Sequence, residues 1–233
     1  MPSIYLIRHG QASFGQANYD QLSTLGKQQA SHLGKALKKR KMVFDAVVLG
    51  GMFRHKQTAE NCLKEMECGL EDANPSINTG WNEYDHQNIL AQYKPELATA
   101  QGVKDFIAAQ ENPQQVFENV FNGAVDRWIG GQHDADYVES WDKFKARVQG
   151  AFDDIVQQYK QSKTIAVFTS GGSISLLSQY YLGVPEDKLM QLNWTLVNCG
   201  ITKIVSTGSR IFVASLNEHV HFEAENKSMI TYK

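Results

Sequence analysis

The chain has 233 residues, 42% apolar, 10% aromatic and 21% charged, with a formal net charge of −2. This composition excludes a disordered or fibrous chain, and the length suits one large domain, or a domain with an insertion, that buries a full core. The near-neutral balance argues against nucleic acid or an anionic membrane as a partner, so a bound anion has to be met by a local cluster of positive groups.

Residues 3–7 (SIYLI) form a short apolar, β-rich run that stops at Arg8-His9-Gly10. The pattern predicts a buried strand feeding a loop. No basic leader precedes that run, and no stretch approaches the ~18 apolar residues of a membrane span, so a soluble, cytoplasmic protein is expected. Residues 20–41 read as a helix, with Leu25, Ala30, Leu33 and Leu37 at near-helical spacing and Lys35, Lys38, Lys39, Arg40 and Lys41 crowding its last turns. Cations suit the negative end of the helix dipole, and a solvated helix end accounts for them without an anion site. Residues 44–49 (FDAVVL) predict a second buried strand, closed by Gly50-Gly51, and residues 54–66 the helix that follows. Residues 76–80 suggest a short strand leading into Trp81-Asn82-Glu83-Tyr84-Asp85-His86.

Residues 88–136 differ in kind, being polar, helix-prone and rich in Gln and Asn. They are expected to form a helical cap insertion covering a site on a single domain that spans residues 1–233. Residues 140–159 predict an amphipathic helix, because Trp141, Phe144, Val148, Phe152, Ile155 and Tyr159 fall three or four apart; such a stripe reads as core rather than as a recognition surface. Residues 164–169 (TIAVFT) predict a third buried strand, followed by Ser170-Gly171-Gly172 and a helix over 173–182. Residues 201–206 and 210–216 alternate as strands around Thr207-Gly208-Ser209, a hairpin pattern. The expected fold is α/β, a three-layer sandwich with a mostly parallel central sheet, an antiparallel edge and a helical insertion. Cys62, Cys68 and Cys199 are too few and too irregular for a disulfide framework or a zinc ribbon, and they suggest a reducing compartment.

Ligands of open α/β sheets bind beyond the carboxyl ends of the strands. Three predicted strand ends here carry unusual residues: Arg8-His9-Gly10, Gly50-Gly51 with Arg54 close behind, and Ser170-Gly171-Gly172. Each alone has a bland reading, as a structural histidine, a surface ion pair or a turn. Adjacent in a sheet, they would bring two guanidiniums, an imidazole and several glycine amides to one place. Paired guanidiniums match phosphoryl oxygens. Glycine amides and a helix N-terminus favour anions, and a histidine can accept the phosphoryl group.

At this point the chain resembles the histidine phosphatase superfamily, the phosphoglycerate-mutase-like proteins. Arg8-His9-Gly10 after the first strand carries the resemblance. Leu22-Ser23-Thr24-Leu25-Gly26 with Gln29-Ala30, Arg54 with Gln57-Thr58-Ala59, Trp81-Asn82-Glu83, Glu139-Ser140-Trp141 with Phe144 and Arg147-Val148, and residues 198–205 extend it along most of the sequence. The resemblance implies that His9 is the nucleophile that becomes phosphohistidine. It implies that Arg8 and Arg54 bind the phosphoryl oxygens, with Ser170 and Gly171 as further phosphate contacts. Glu83 would protonate the leaving oxygen and then activate water, or an acceptor hydroxyl in a mutase. No cofactor or metal is required by this scheme, and the expected partner is a small phosphorylated substrate or inorganic phosphate. A mutase would also need a retained intermediate and a pocket for one acceptor, which makes a phosphatase the first reading. The oligomeric state is not legible.

One departure stands out. The family's third strand normally ends in a serine, a histidine and two glycines, whereas this chain has Thr169-Ser170-Gly171-Gly172. A hydroxyl can donate one hydrogen bond but carries no charge, and losing one transition-state donor typically costs about 10²–10³ in rate. Three readings stay open: a slower phosphatase with a modified pocket; replacement of the missing cation by His55, His86, His219 or His221; or a non-catalytic binder or scaffold that holds phosphate without turnover. Gly50-Gly51 also stand where the family often has serines. His219-Val220-His221 would place two rings on one face of a strand, a metal pair with no evident third ligand. His133-Asp134-Ala135-Asp136 lacks a calcium-loop pattern and reads as a solvated loop. Neither a P-loop nor a G-x-G-x-x-G motif is present.

Overall fold

A computed structural model describes residues 2–13, 20–223 and 226–232. In chain order the strands and helices are β1 (Ser3–Arg8), α1 (Thr24–Lys39), β2 (Ala46–Leu49), α2 (Phe53–Glu65), α3 (Leu70–Ala73) and β3 (Ser76–Ile77). Four helices follow, α4 (His86–Tyr93), α5 (Ala100–Ala108), α6 (Pro113–Ile129) and α7 (Trp141–Gln158). The chain then forms β4 (Thr164–Thr169), α8 (Gly171–Leu182), α9 (Leu189–Thr195), β5 (Ile201–Ser206), β6 (Ile211–Glu218) and α10 (Val220–Glu223).

Six strands make one sheet in the order β3-β2-β4-β1-β5-β6. The pairs β3–β2, β2–β4 and β4–β1 are parallel, while β1–β5 and β5–β6 are antiparallel. This is the mostly parallel α/β sheet with an antiparallel edge that the alternation of strands and helices predicts. The central strands read as continuous apolar runs because helices cover them. Ile165, Ala166, Val167 and Phe168 of β4 are wholly buried, as are Ile4, Leu6 and Ile7 of β1. Each large side chain of this kind contributes roughly 1.5–3 kcal/mol by leaving water.

The register decides where chemistry can be placed. Arg8 pairs with Thr169 and Leu49 with Phe168, so β1, β4 and β2 end level with one another. His9 N–H donates to the Thr169 carbonyl and Gly50 N–H to the Phe168 carbonyl. His9, Gly50 and Ser170 therefore leave the sheet side by side at its carboxyl edge.

Local chemistry shifts several boundaries from those the sequence suggests. α1 begins at Thr24 rather than at residue 20, because the Ser23 hydroxyl caps it by accepting from Gly26 N–H. Lys38 and Arg40 at its far end pair with Glu67 and Glu218, so the basic run is a solvated, ion-paired helix end. The predicted strand at 76–80 is two residues long and gives way to a 3₁₀ turn over Thr79–Trp81. β6 ends at Glu218 and His221 lies in the short helix α10, so His219 and His221 do not share a strand face. α9 is only seven residues long, too short for a periodicity to announce it.

The described chain divides into two compact units, Met1–Glu83 with Val148–Lys233, and Tyr84–Arg147. The first contains the sheet. The second is helical, held by an aromatic cluster of Tyr84, Trp128, Trp141 and Phe144 with ring centroids 5.0–5.7 Å apart. There Glu139 accepts from Arg147 through both carboxylate oxygens, and its carbonyl accepts from the Trp128 indole. Asp136 is ion-paired with Arg127, which gives the acidic loop a structural role within that unit. Trp141, Phe144, Val148, Phe152 and Ile155 are all buried, as a core stripe should be, while Tyr159, the last of the predicted stripe, lies just past α7 and is half-buried. Cys62 and Cys199 are buried free thiols whose pKa burial pushes up, which keeps them protonated. No helix among the described residues is long and apolar enough to cross a membrane.

Candidate active site

The site is built on the loop after β1. Gly10 and Gly26 make it possible: a Cβ on Gly10 would lie 2.4 Å from the Gly26 carbonyl oxygen, and one on Gly26 would lie 2.1 Å from that of Gln11. The loop therefore lies directly on the first turn of α1. Three side chains tie it down. Thr58 Oγ1 accepts from Gly10 N–H at 3.1 Å and donates to the Arg54 carbonyl at 2.7 Å. Gln29 Oε1 accepts from Gln11 N–H at 2.8 Å. Asn198 Nδ2 donates to the His9 carbonyl at 3.0 Å. Gln29 and Thr58, which the sequence reading treats only as family resemblance, thus act as braces. Asn198 does the same, at a sequence separation that no local pattern can signal.

His9 is 7% exposed. Its Nδ1 lies 2.7 Å from the Gly10 carbonyl, which can only accept, so Nδ1 carries the proton and Nε2 keeps its lone pair. Burial holds the His9 pKa well below its ordinary value, and Arg54, Arg8 and His55 push it further down. The ring is neutral at pH 7. Thr58 ties Gly10 to the Arg54 carbonyl, and Gly171 lies against the Arg8 guanidinium, so the three strand ends do converge.

Arg54 is the second residue of α2 and is buried. Its Nη1 lies 2.9 Å from Asp20 Oδ1, and Asp20 Oδ2 accepts from Phe53 N–H at the start of the same helix. A carboxylate at a helix N-terminus is favourable, and here it also orients the guanidinium. Asp20 has no motif to announce it. Arg8 donates through Nη1 to the carbonyls of Leu196 and Tyr232.

α8 starts two residues earlier than its apolar pattern suggests, with Ser170 in the capping position and Gly171 and Gly172 in its first turn. Gly171 packs against Arg8 and Asn193. Glu83 reaches this turn: Gly172 N–H donates to its two carboxylate oxygens at 3.1 and 3.2 Å. Ser170 sits at the capping position, yet its hydroxyl makes no cap bond. Instead Ser170 Oγ lies 2.7 Å from His55 Nε2. His55 is fully buried, and its ring centroid is 5.8 Å from that of His9. Burial and the neighbouring Arg54 lower its pKa to about 3, against a contact with the Gly50 backbone that works the other way.

The other candidate histidines have partners elsewhere. His219 contacts the Asn217 carbonyl and Glu223, and His221 lies against Phe222 and His32. His86 opens α4 in the second unit. Among the described residues no three His, Cys, Asp or Glu side chains are grouped closely enough to hold a metal ion.

Comparison with known proteins bears on the family and the fold. The family model for the histidine phosphatase superfamily, branch 1, matches residues 4–121 and 105–219. The chain belongs to the histidine phosphatase superfamily. Among solved structures of this kind, a phosphoglycerate mutase from Bacillus anthracis is 18% identical, with 95% of each chain covered and a TM-score of 0.62. A phosphoserine phosphatase from Entamoeba histolytica, in complex with 3-phosphoglyceric acid, is also 18% identical, covering 95% of this chain and 99% of its own at a TM-score of 0.63. An alpha-ribazole phosphatase from Shigella flexneri is 20% identical over 93% of this chain and 96% of its own, with a TM-score of 0.60. At these identities the likeness is one of fold. A search of curated proteins gave no match. Ser170, the departure noted first in the sequence, has His55 packed against it.

Proposed function

We propose that the chain is a metal-independent phosphatase acting on a small phosphorylated molecule through a phosphohistidine at His9. The observation that carries this is the state of His9. Its Nδ1 proton is held by the Gly10 carbonyl and its ring is kept neutral between two arginines, which leaves Nε2 as a nucleophile. The superfamily membership and the phosphatases among its structural neighbours support the same class of reaction.

The lone pair of Nε2 attacks phosphorus while the ester P–O bond breaks. In this scheme Glu83 enters the step protonated and gives that proton to the leaving oxygen. Water then attacks phosphorus and gives its proton to Glu83. The N–P bond breaks, and neutral His9 and inorganic phosphate are released. Arg8 and Arg54 stabilise the charge that spreads over the transferring oxygens. Glu83 already stands at the first turn of α8, the same helix end at which Ser170 and Gly171 lie.

The test is steady-state hydrolysis of an aryl phosphate by the wild type and His9→Ala across pH 5–9. Hydrolysis by the wild type, lowered at least a thousandfold in His9→Ala, is the expected result. Equal rates at every pH would leave the non-catalytic phosphate binder as the correct reading.

A further inference from the structure

Several facts converge on the buried contact between α2 and the start of α8. Ser170 stands at a helix N-cap, where a serine hydroxyl ordinarily satisfies an N–H of the first turn. Here that hydroxyl is turned onto His55 Nε2 at 2.7 Å, and the Gly172 amide is taken by Glu83. The His55 ring fits because the residue beside it has no side chain. A Cβ on Gly50 would lie 2.2 Å from His55 Nδ1 and 2.7 Å from Cε1. Gly50, His55 and Ser170 thus fit one another: a ring on α2, the room for it at the end of β2, and a small hydroxyl to meet it at the end of β4. The ring stands beside the nucleophile, 5.8 Å from that of His9.

We infer that His55 and Ser170 form a single donor unit for the phosphoryl group, in which His55 is a positioning residue that fixes the direction of the Ser170 hydroxyl. This rests on the reading of His9 as the phosphoryl acceptor. His55 Nδ1 has no hydrogen-bond partner, and a buried N–H is seldom left orphaned, so the neutral ring keeps its proton on Nε2, donates to Ser170 Oγ and leaves the hydroxyl hydrogen to point onward. An arriving phosphoryl group takes the Gly172 amide from Glu83 and meets the hydroxyl there. His55 therefore stands in for a second imidazole as a buried neutral donor acting through a hydroxyl, and not as a cation. Packing and their mutual contact hold both side chains in place, so the donor is oriented before the ligand arrives.

The experiment compares the wild type, Ser170→Ala, His55→Leu, His55→Gln and the double variant Ser170→Ala/His55→Leu. Each is titrated with inorganic phosphate by calorimetry and assayed for kcat and KM on an aryl phosphate, with thermal unfolding as a check on folding. Leucine fills the ring's volume without a donor, whereas glutamine returns an N–H to Ser170. The expected result is that Ser170→Ala and His55→Leu each weaken phosphate binding and lower kcat by about 10²-fold, as for one lost transition-state donor. The double variant should lose no more than the worse single, as residues acting as a unit do. His55→Gln should recover at least tenfold over His55→Leu. Losses that multiply in the double variant, or a folded His55→Leu that keeps phosphate affinity and kcat within twofold of wild type, would overturn the unit. The phosphate titration reads the pair even if turnover is absent. A protein that binds phosphate through Ser170 and His55 without hydrolysis would refute the phosphatase reading and leave the donor unit standing.

Discussion

His9 shows how little of a catalytic residue lies in its own identity. A histidine in water is half protonated near pH 6.5, and a protonated ring cannot attack phosphorus. Here burial and three neighbouring nitrogen bases or cations hold it neutral, while the Gly10 carbonyl selects the nitrogen that keeps the lone pair. Because the His9 pKa is depressed, the neutral fraction stays near complete as pH falls through 6.5. The acid limb of kcat/KM, which reports the free enzyme, is therefore expected below pH 6.5. A limb at or above 6.5 in the pH–rate profile would show that His9 titrates as though exposed. The R-H-G motif was legible in the sequence, and so was the pairing of its histidine with two arginines. The braces were not. Thr58 to Gly10, Asn198 to the His9 carbonyl and Asp20 to Arg54 are contacts across long stretches of chain, made by residue types that are common everywhere.

At the scale of elements, three strands ending level are what bring the site together, and the apolar runs of β1, β2 and β4 predicted them well. The run 164–169 matches β4 residue for residue. The start of α8 was misplaced because two glycines read as a loop. Their amides are instead the useful end of the helix, and one of them holds Glu83. His55 was harder to place. Neighbouring residues on a helix face different directions, so its position beside Arg54 did not reveal that it turns inward to Ser170. The packing between β2 and α2 gives a sharp test. Gly50→Ala puts a methyl into the His55 ring, and overpacking of this sort costs about 1–3 kcal/mol. In a His55→Ala background the ring is gone and the penalty should shrink below about 1 kcal/mol. Urea unfolding of the four proteins measures this cycle; equal penalties in both backgrounds would mean the ring does not occupy that space.

At the scale of the molecule, the composition gave a near-neutral chain, and the structure shows that neutrality extends to its interior histidines. His9, His55 and His221 all have pKa values lowered by burial, His55 to about 3 and His221 to about 4. The unfolded chain takes up protons at these rings as pH falls through 6.5, and the folded chain does not until far lower. Stability is therefore full above pH 6.5 and falls below it, by up to about 1.4 kcal/mol per pH unit for each ring. His55→Leu should remove one ring's share of that slope between pH 6.5 and 4.5, measured by urea unfolding; an unchanged slope would mean that His55 titrates alike in both states. Composition did not show this, because it counts histidines without their surroundings.

Everything about the site turns on whether His9 carries the phosphoryl group. The direct measurement is a rapid quench, into base, of the wild-type protein mixed with a ³²P-labelled phosphomonoester, followed by peptide mapping. A base-stable, acid-labile label on His9, absent from His9→Ala, is the result expected. Turnover with no such label, or with the label on another residue, would contradict the account.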